Sequence, residues 1–384
     1  AQRNSVSLLT AADPGAESGT AGLEEFCAEV RLVPKRVSGQ GMRRRLGQLA
    51  TLASPRSFQR WQVCTPAFQQ ALDQWLRADR FDMIIVDGAH LAGLRLPSGV
   101  PLVLDEHNIE YELLARHGAG ERSVARRWFN QLEHLKCFRE ETSSWKRFDG
   151  CLFTSDREAK VMVGVAPQTK VVVVGNGVDI EYFQPHPIAV GEVRLPDPKI
   201  VFTGRMDYRP NVDAAHHLVE DVLPLVRLDH PTAQVWVVGM NPPTELTRMA
   251  ARTAGVTVTG AVDDVRPYLR EAAVVVAPLR MGGGTRLKIL EAMAMGQAVV
   301  STHLGCEGLD VRPDQDLLVA DSPAEQAAAI AQVLSDPELA SALGRSGRAR
   351  VVELYGWDAV TAGLDDFVLS IVQRHRERGP NSPS

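Results

Sequence analysis

The chain of 384 residues is poor in the features that mark several functional classes. Its five cysteines, Cys27, Cys64, Cys137, Cys151 and Cys306, are widely scattered and form no Cys-x-x-Cys pair. That pattern supports neither a disulfide framework nor a zinc site, and it fits a reducing cytoplasm. Long apolar runs are missing too. The longest lies near Ala272–Leu279, well short of the roughly 20 residues of a membrane span. Positive charge is not in surplus: 42 Lys and Arg stand against 47 Asp and Glu, a formal net charge of −5. A dedicated nucleic-acid binder would show a basic face instead. The opening residues, AQRNSVSLLT, do not read as a signal peptide. They enter a strand-like run, Val6–Thr10, almost at once.

What is present is a repeated alternation. Short runs rich in Val, Ile and Leu recur: SVSLLT, EVRLVP, MIIVDG, PLVLDE, GCLFTS and KVVVVG, then KIVFTG, AQVWVVG, GVTVTG, AAVVVAP, QAVVST and DLLVAD. Fully apolar runs of this length suit parallel strands buried on both faces. Amphipathic helical stretches lie between them, such as SPAEQAAAIAQVLSD, which opens on an N-cap Ser322 and Pro323. Two sets of six strands predict two doubly wound α/β domains with parallel sheets. Residues 1–185 form the first and 198–355 the second, joined by a Pro-rich linker at 186–197. A C-terminal helix is expected over 356–375, crossing back to the first domain, and a disordered polar tail over 376–384.

Three strand ends of the second half carry unusual residues, and in such sheets ligands bind beyond the carboxyl ends. KIVFT ends in Gly204-Arg205. GVTVTG leads to Val262-Asp263-Asp264. AAVVVAP leads to Gly282, Gly283, Gly284 and Thr285, then to a helix bearing Arg286, Lys288 and Glu291. A glycine loop feeding a helix start is an anion site, to which Arg205 and Arg286 add forked donors and Lys288 a point charge. An acid one turn further in suits vicinal hydroxyls, so diphosphate plus ribose describes the expected ligand. Lys288 and Glu291, three apart, would equally suit a surface ion pair.

These residues resemble retaining glycosyltransferases of the GT-B fold, family 4. The resemblance rests on NGVDIEYF, VFTGRMDYRPN, VTVTGAVDDVRPYL, VAPLRMGGGTRLKILEAMAMGQAVVST, GCEGL and YGWDAV, and more weakly on VLDEHNIEYELL and FDGCLFTSDREA. It implies sugar transfer from a nucleotide diphosphate donor with retained anomeric configuration, no metal and no other cofactor. It places Arg205, Arg286 and Lys288 on the diphosphate and Glu291 on the ribose. Gly204 and Gly282–Thr285 would contact donor sugar and phosphate, and the backbone at Val262 the base. His107, followed by Asn108, would lie near donor sugar and acceptor. The implied acceptor is a glycan or a lipid-linked glycan, in polysaccharide or glycolipid biosynthesis.

The sequence departs from that family at three points. Gly283 stands where relatives often carry the first of two glutamates, which leaves the hold on the donor sugar to backbone N–H groups. GRMDYRPN offers Arg209 and no lysine. Residue 1 falls just before the second strand of the family pattern, so the family's first strand and glycine-rich loop are expected to be missing. Two alternatives follow: a non-catalytic or truncated nucleotide-sugar-binding protein, and a nucleotide-sugar epimerase or hydrolase of the same shape. GNGVDI is no dinucleotide fingerprint, since its third glycine position is Ile180. Asp314–Asp316 (DQD) reads as a turn rather than a metal site. The stretch from Arg122 to Phe148 is basic and aromatic at helical spacing. It suits a core-facing helix with a solvated face, with peripheral contact to an anionic membrane at its inner face as the other reading.

Overall fold

The computed structural model describes residues 4–13, 22–36, 42–119, 123–185, 198–282 and 286–378. All twelve apolar runs form strands. The chain divides into two compact units, residues 1–174 with 363–384, and residues 175–362.

In chain order the first unit holds β1 (Ser7–Ala12), β2 (Glu29–Pro34), α1 (Met42–Thr51), α2 (Phe58–Val63), α3 (Pro66–Ala78), β3 (Ile84–Asp87), β4 (Leu102–Glu106), α4 (Glu110–Ala119), α5 (Val124–Arg147), β5 (Gly150–Phe153), α6 (Asp156–Val165) and β6 (Lys170–Val173). Its strands make two parallel sheets, β1-β2 and β3-β4-β5-β6. An apolar cluster connects them: Leu9 and Ala11 of β1 share Phe68, Leu91 and Leu96 with the segment after β3. Successive side chains of a strand point to opposite faces. Leu104, Cys151 and Phe153 accordingly meet Trp145 of α5 and Met162 of α6 on one face.

Val103 and Leu152 occupy the other face, where Phe367 and Ile371 arrive from the far end of the chain. A Cβ on Gly150 would lie 2.6 Å from the Phe367 ring, so glycine lets that helix seat closely.

Polar groups fix the helices around α5. Ser57 N and Oγ donate to Glu140 at 2.9 and 2.6 Å, at the start of α2. Glu110 N and Tyr111 N donate to Glu141 at 2.8 and 2.9 Å, at the start of α4. Carboxylates satisfy free N–H groups there and suit the helix dipole. Lys136 bridges Glu133 to the carbonyl of Thr51. The buried face of α5 is therefore largely charged, while Val124 and Trp128 near its start are exposed.

The second unit holds β7 (Lys199–Thr203), α7 (Arg209–His217), α8 (Leu223–Asp229), β8 (Gln234–Val238), α9 (Thr244–Arg252), β9 (Val256–Val258), α10 (Arg266–Arg270), β10 (Val274–Ala277), α11 (Leu287–Ala294), β11 (Val299–Ser301), β12 (Leu318–Val319), α12 (Pro323–Ser335), α13 (Pro337–Tyr355) and α14 (Trp357–Val360). Its six strands run parallel in the order β12-β11-β10-β7-β8-β9. Counted within the unit this is 6-5-4-1-2-3, the dinucleotide-fold order read from the other edge. Every residue of β7 is buried. Helices α7, α8 and α12 cover one face and α11 and α13 the other. Ser322 and Glu325 close a capping box at α12.

Three boundaries differ from expectation. The units divide after Val174 rather than at 185, because the next residues pack into the second unit. Val178 N donates to Tyr355 O at 2.7 Å, and Val178, Ile180 and Phe183 join that unit's core. The helix expected over 356–375 is two: α14, then α15 (Leu364–Arg378), which returns to the first unit. The expected tail begins inside α15, whose residues 376–378 are helical; 379–384 lie outside the described residues, as do 186–197.

Candidate functional site

The sheet order of the second unit reverses between β7 and β10, and ligands occupy that crevice in such sheets. β7 runs into Gly204 and Arg205. Gly204 N donates to Val238 O at 3.0 Å and Met206 N to Met240 O at 2.9 Å, knitting this turn to the end of β8. A Cβ on Gly239 would come within 1.7 Å of Gly204 O, so only glycine permits that approach. A Cβ on Gly204 itself, at φ +155°, would meet Asn211 Nδ2 at 2.8 Å and Lys288 Nζ at 3.0 Å.

Asn211 ties the site together, and the sequence reading missed it. Its Nδ2 donates to Arg205 O at 2.8 Å, and its Oδ1 accepts from Lys288 Nζ at 2.7 Å. One buried amide thus braces the Gly-Arg turn of β7 against the start of α11. Lys288 Nζ also lies 4.4 Å from the centre of the Phe202 ring. Burial, and then the charge of Arg286, push its ammonium down to about 7.

Arg286 is 5% exposed. Its Nε is buried without a hydrogen-bond partner among the described residues, and Glu307, itself exposed, stands 3.9 Å from its Nη2. Desolvation lowers its pKa. Burial likewise raises the carboxyl of Glu291, partly countered by Lys288. Gly282, at φ +103°, sits against the first turn of α7, where a Cβ would meet Pro210 at 2.8 Å. Gly283, Gly284 and Thr285 lie outside the described residues.

Arg205 is the exposed cation of the set. It pairs with Asp207 at 2.8 Å, and Asp207 also accepts from Asn241 at 3.1 Å. Val262 makes no polar contact with these groups among the described residues. It packs on the α11 face of the core beside a cavity of about 630 Å³ lined by Trp236, Asp263, Asp264, Tyr268 and Glu271. The structure therefore brings together Gly204, Arg205, Gly282, Arg286 and Lys288, and adds Asn211.

His107 and Asn108 belong to the first unit, on the turn between β4 and α4. The imidazole Nε2 lies 3.2 Å from Asp87 Oδ1 at the end of β3 and 4.0 Å from Asp105 Oδ2. Glu141 caps α4 directly behind this turn. Burial, followed by the charge of Glu141, raises Glu106 well above the usual carboxylate range; Trp145 Nε1 donates to it at 3.2 Å. Parallel pairing of β3 with β4 creates the Asp87 contact, which spacing along the chain does not reveal.

Asp316 of the DQD turn and the buried His217 are held by structural contacts. Burial would raise Asp316, but hydrogen bonds from Arg312 and Ser346 outweigh it and hold the carboxyl at about 2. His217 is buried against Asp221, with Nδ1 at 2.7 Å.

Buried cations without matching anions cost folding energy unless something else uses them. The arrangement at β7 and β10 suits a ligand of two or more negative charges with hydroxyl groups nearby. Residues 197–336 match the family model described as glycosyl transferases group 1, and residues 20–182 match that of glycosyltransferase family 4. A GDP-mannose-dependent α-(1-6)-phosphatidylinositol monomannoside mannosyltransferase of Mycobacterium tuberculosis is 30% identical over 221 residues, 53% of this chain and 56% of the relative. A phosphatidyl-myo-inositol mannosyltransferase of the same organism is 32% identical over 202 residues, 50% of this chain and 52% of the relative. The chain thus spans about half the length of these curated relatives. Among solved structures, sucrose-phosphate synthase of Thermosynechococcus elongatus superposes with a TM-score of 0.66 at 19% identity, covering 97% of this chain and 100% of that one. The Anabaena HepE protein, solved in complex with UDP, gives 0.66 at 14% identity, covering 96% and 100%.

Proposed function

The chain belongs to the family 4 glycosyltransferases of GT-B fold, and from that premise we propose that it moves a sugar from a nucleotide diphosphate donor to a glycan or lipid-linked acceptor. The observation that carries this reading is the desolvated pair Arg286 and Lys288, the latter beside Gly204, with one guanidinium nitrogen of Arg286 lacking a partner among the described residues. The relatives' names favour GDP-mannose as the first donor to try and a phosphoinositide-type glycolipid as the first acceptor.

In the proposed reaction the anomeric C–O bond breaks and negative charge grows on the leaving diphosphate. Preorganised cations aimed at that charge lower the barrier without reorganising. Arg286 and Lys288 supply it from the crevice. Arg205 swings in from its exposed pair with Asp207. This set stands where another enzyme would use a metal ion, so the reading is metal-independent. The acceptor oxygen bonds the anomeric carbon from the side the diphosphate leaves, and its proton passes to the departing phosphate oxygen. Configuration is then retained. Glu291 takes the ribose hydroxyls, and the backbone near Val262 lies by the base. His107 hydrogen-bonds a sugar hydroxyl; Asp87 orients its ring.

A thermal-shift panel of nucleotide diphosphate sugars, with and without chelator, tests the donor site. Stabilisation by one donor, indifferent to chelator and lost in Arg286→Ala, supports the reading. Turnover with inversion, or a strict metal requirement, contradicts it.

A further inference from the structure

Two carboxylates close to His107 are buried and take no part in the proposed reaction. Glu106 ends β4 and is 1% exposed; Glu141, on α5, is 2% exposed. Neither has an ion-pair partner among the described residues. The cations of these elements are engaged elsewhere: Lys136 by Glu133, Arg60 of α2 by Glu140 at 3.4 Å, and Arg157 of α6 by Glu112. The charges that act on Glu141 are acids, Glu110 and Glu112 of α4, and Glu106 of β4 feels its charge in turn. Burial lifts the Glu141 carboxyl to about 7, even though two backbone N–H groups lower it. Three other helices of this unit start on a hydroxyl of their own N-cap: Ser57 at α2, Thr65 at α3 and Ser155 at α6. Such neutral caps bury no charge. Helix α4 draws a carboxylate from another helix instead.

What α4 follows is the turn of His107 and Asn108, and α5 grips the chain on both sides of it. Before the turn, Trp145 Nε1 donates to Glu106 at 3.2 Å. After it, Glu110 N and Tyr111 N donate to Glu141 at 2.8 and 2.9 Å. His134 Nδ1 donates to Tyr111 O at 2.7 Å, and the Tyr111 ring stands edge-on to Phe138 at 5.1 Å. Between these holds, Thr154 Oγ1 at the end of β5 donates to His107 O at 3.1 Å. The first backbone groups beyond Asn108 to be fixed from α5 are therefore the two on Glu141.

We propose that Glu141 is a positioning residue for the transfer reaction: its carboxylate, fixed on α5, sets the backbone of the His107–Asn108 turn and so the direction from which His107 meets a sugar hydroxyl. The inference rests on the role given to His107 above. Ionised Glu141 offers an acceptor oxygen to each N–H; protonated, it turns one oxygen into a donor and loosens the turn. Stability and turnover then respond to pH with opposite signs. From the ordinary carboxylate range up to about pH 7 the folded chain keeps a proton that the unfolded chain has lost. Glu141 therefore makes stability fall as pH rises there. Turnover should rise over the same interval.

The test compares pH profiles of turnover for the full chain and for Glu141→Gln, an isostere with a single acceptor oxygen. The variant should lose about tenfold in kcat, keep the donor KM and donor-induced thermal shifts, and lose the acid limb near about pH 7. Its thermal midpoint at about pH 8 should hold or rise, because a buried charge has gone. A variant that melts earlier with parent kcat, or that slows with its acid limb in place, makes Glu141 a structural cap and overturns the proposal. A second measurement needs neither catalysis nor the Gln variant. In His107→Ala, where the imidazole adds no titration of its own, the amide resonances of Asn108, Glu110 and Tyr111 should step together near about pH 7. Amides that stay in place through that range overturn the proposal as well. Parent turnover in His107→Ala breaks the role of His107 and takes this inference with it. Parent turnover in Glu141→Gln, in a chain that His107→Ala slows, breaks this inference alone.

Discussion

The cations at the ends of β7 and β10 and the histidine at the end of β4 are placed on opposite terms. Arg286 is 5% exposed and one of its nitrogens has no partner among the described residues. The His107 side chain is 55% exposed and has two carboxylates for neighbours, Asp87 and Asp105. The first arrangement stores unfavourable charge that an anion would relieve. The second is solvated and already accompanied. Groups of the first kind should dominate the reaction barrier, and groups of the second should tune orientation. Mutation can reverse or sharpen that ranking.

The largest effect is expected at Arg286. Replacing it with Ala should lower kcat/KM by about 10²–10³, the usual loss for one preorganised donor to developing charge. Its thermal midpoint should hold or rise, because a buried and poorly paired charge has been removed. A variant that melts early and keeps full specific activity would make Arg286 structural.

Next comes Asn211→Leu, which frees Lys288 from its brace and leaves Arg205 O without its amide partner. A loss of about tenfold to a hundredfold in donor-dependent turnover is expected. Asn211→Asp should keep the contact to Lys288, though not the donor to Arg205 O, and raise the pKa of Lys288, moving the alkaline limb of donor binding upward in pH. A purely structural asparagine would leave that limb in place.

The pH dependence has two parts of opposite sign. Lys288 falls from the ordinary lysine range to about 7 in the folded chain. Between about pH 7 and pH 10 the unfolded chain therefore holds the proton that the folded one has lost, and Lys288 makes stability rise with pH there. Donor affinity should fall over the same window, since the diphosphate needs the ammonium. Thermal midpoints and donor titrations recorded over that range check both signs, with Lys288→Met as reference.

His107→Ala should cost about tenfold in turnover and leave donor-induced thermal shifts unchanged. Asp87→Asn should cost a few-fold at most. The smallest effect is expected at Asp207→Asn, which releases Arg205 from its exposed pair. Donor affinity should rise slightly at low salt and lose that gain at high salt.

Much of the architecture was legible because parallel strands buried on both faces read as unbroken apolar runs, from SVSLLT to DLLVAD. The glycine and cation positions were legible because short motifs carry them. What escaped depends on topology. Asn211 and Lys288 are 77 residues apart and meet only because the sheet reverses between β7 and β10. Asp87 reaches His107 through the pairing of β3 with β4. Glu140 reaches Ser57 across 83 residues, and no local pattern announces a carboxylate that caps a distant helix. The domain boundary was misjudged for a similar reason: prolines mark 186–197, but packing around Val178 decides where the second unit begins.

The central claim is that the crevice between β7 and β10 holds a nucleotide diphosphate on Arg286 and Lys288. Calorimetric titration with the preferred donor, in two buffers of different ionisation enthalpy near about pH 8, tests it most directly. The account predicts uptake of close to one proton per donor bound, abolished by Lys288→Met, and binding severely weakened in Arg286→Ala. Tight binding with no proton uptake, undiminished in Arg286→Ala, would contradict it.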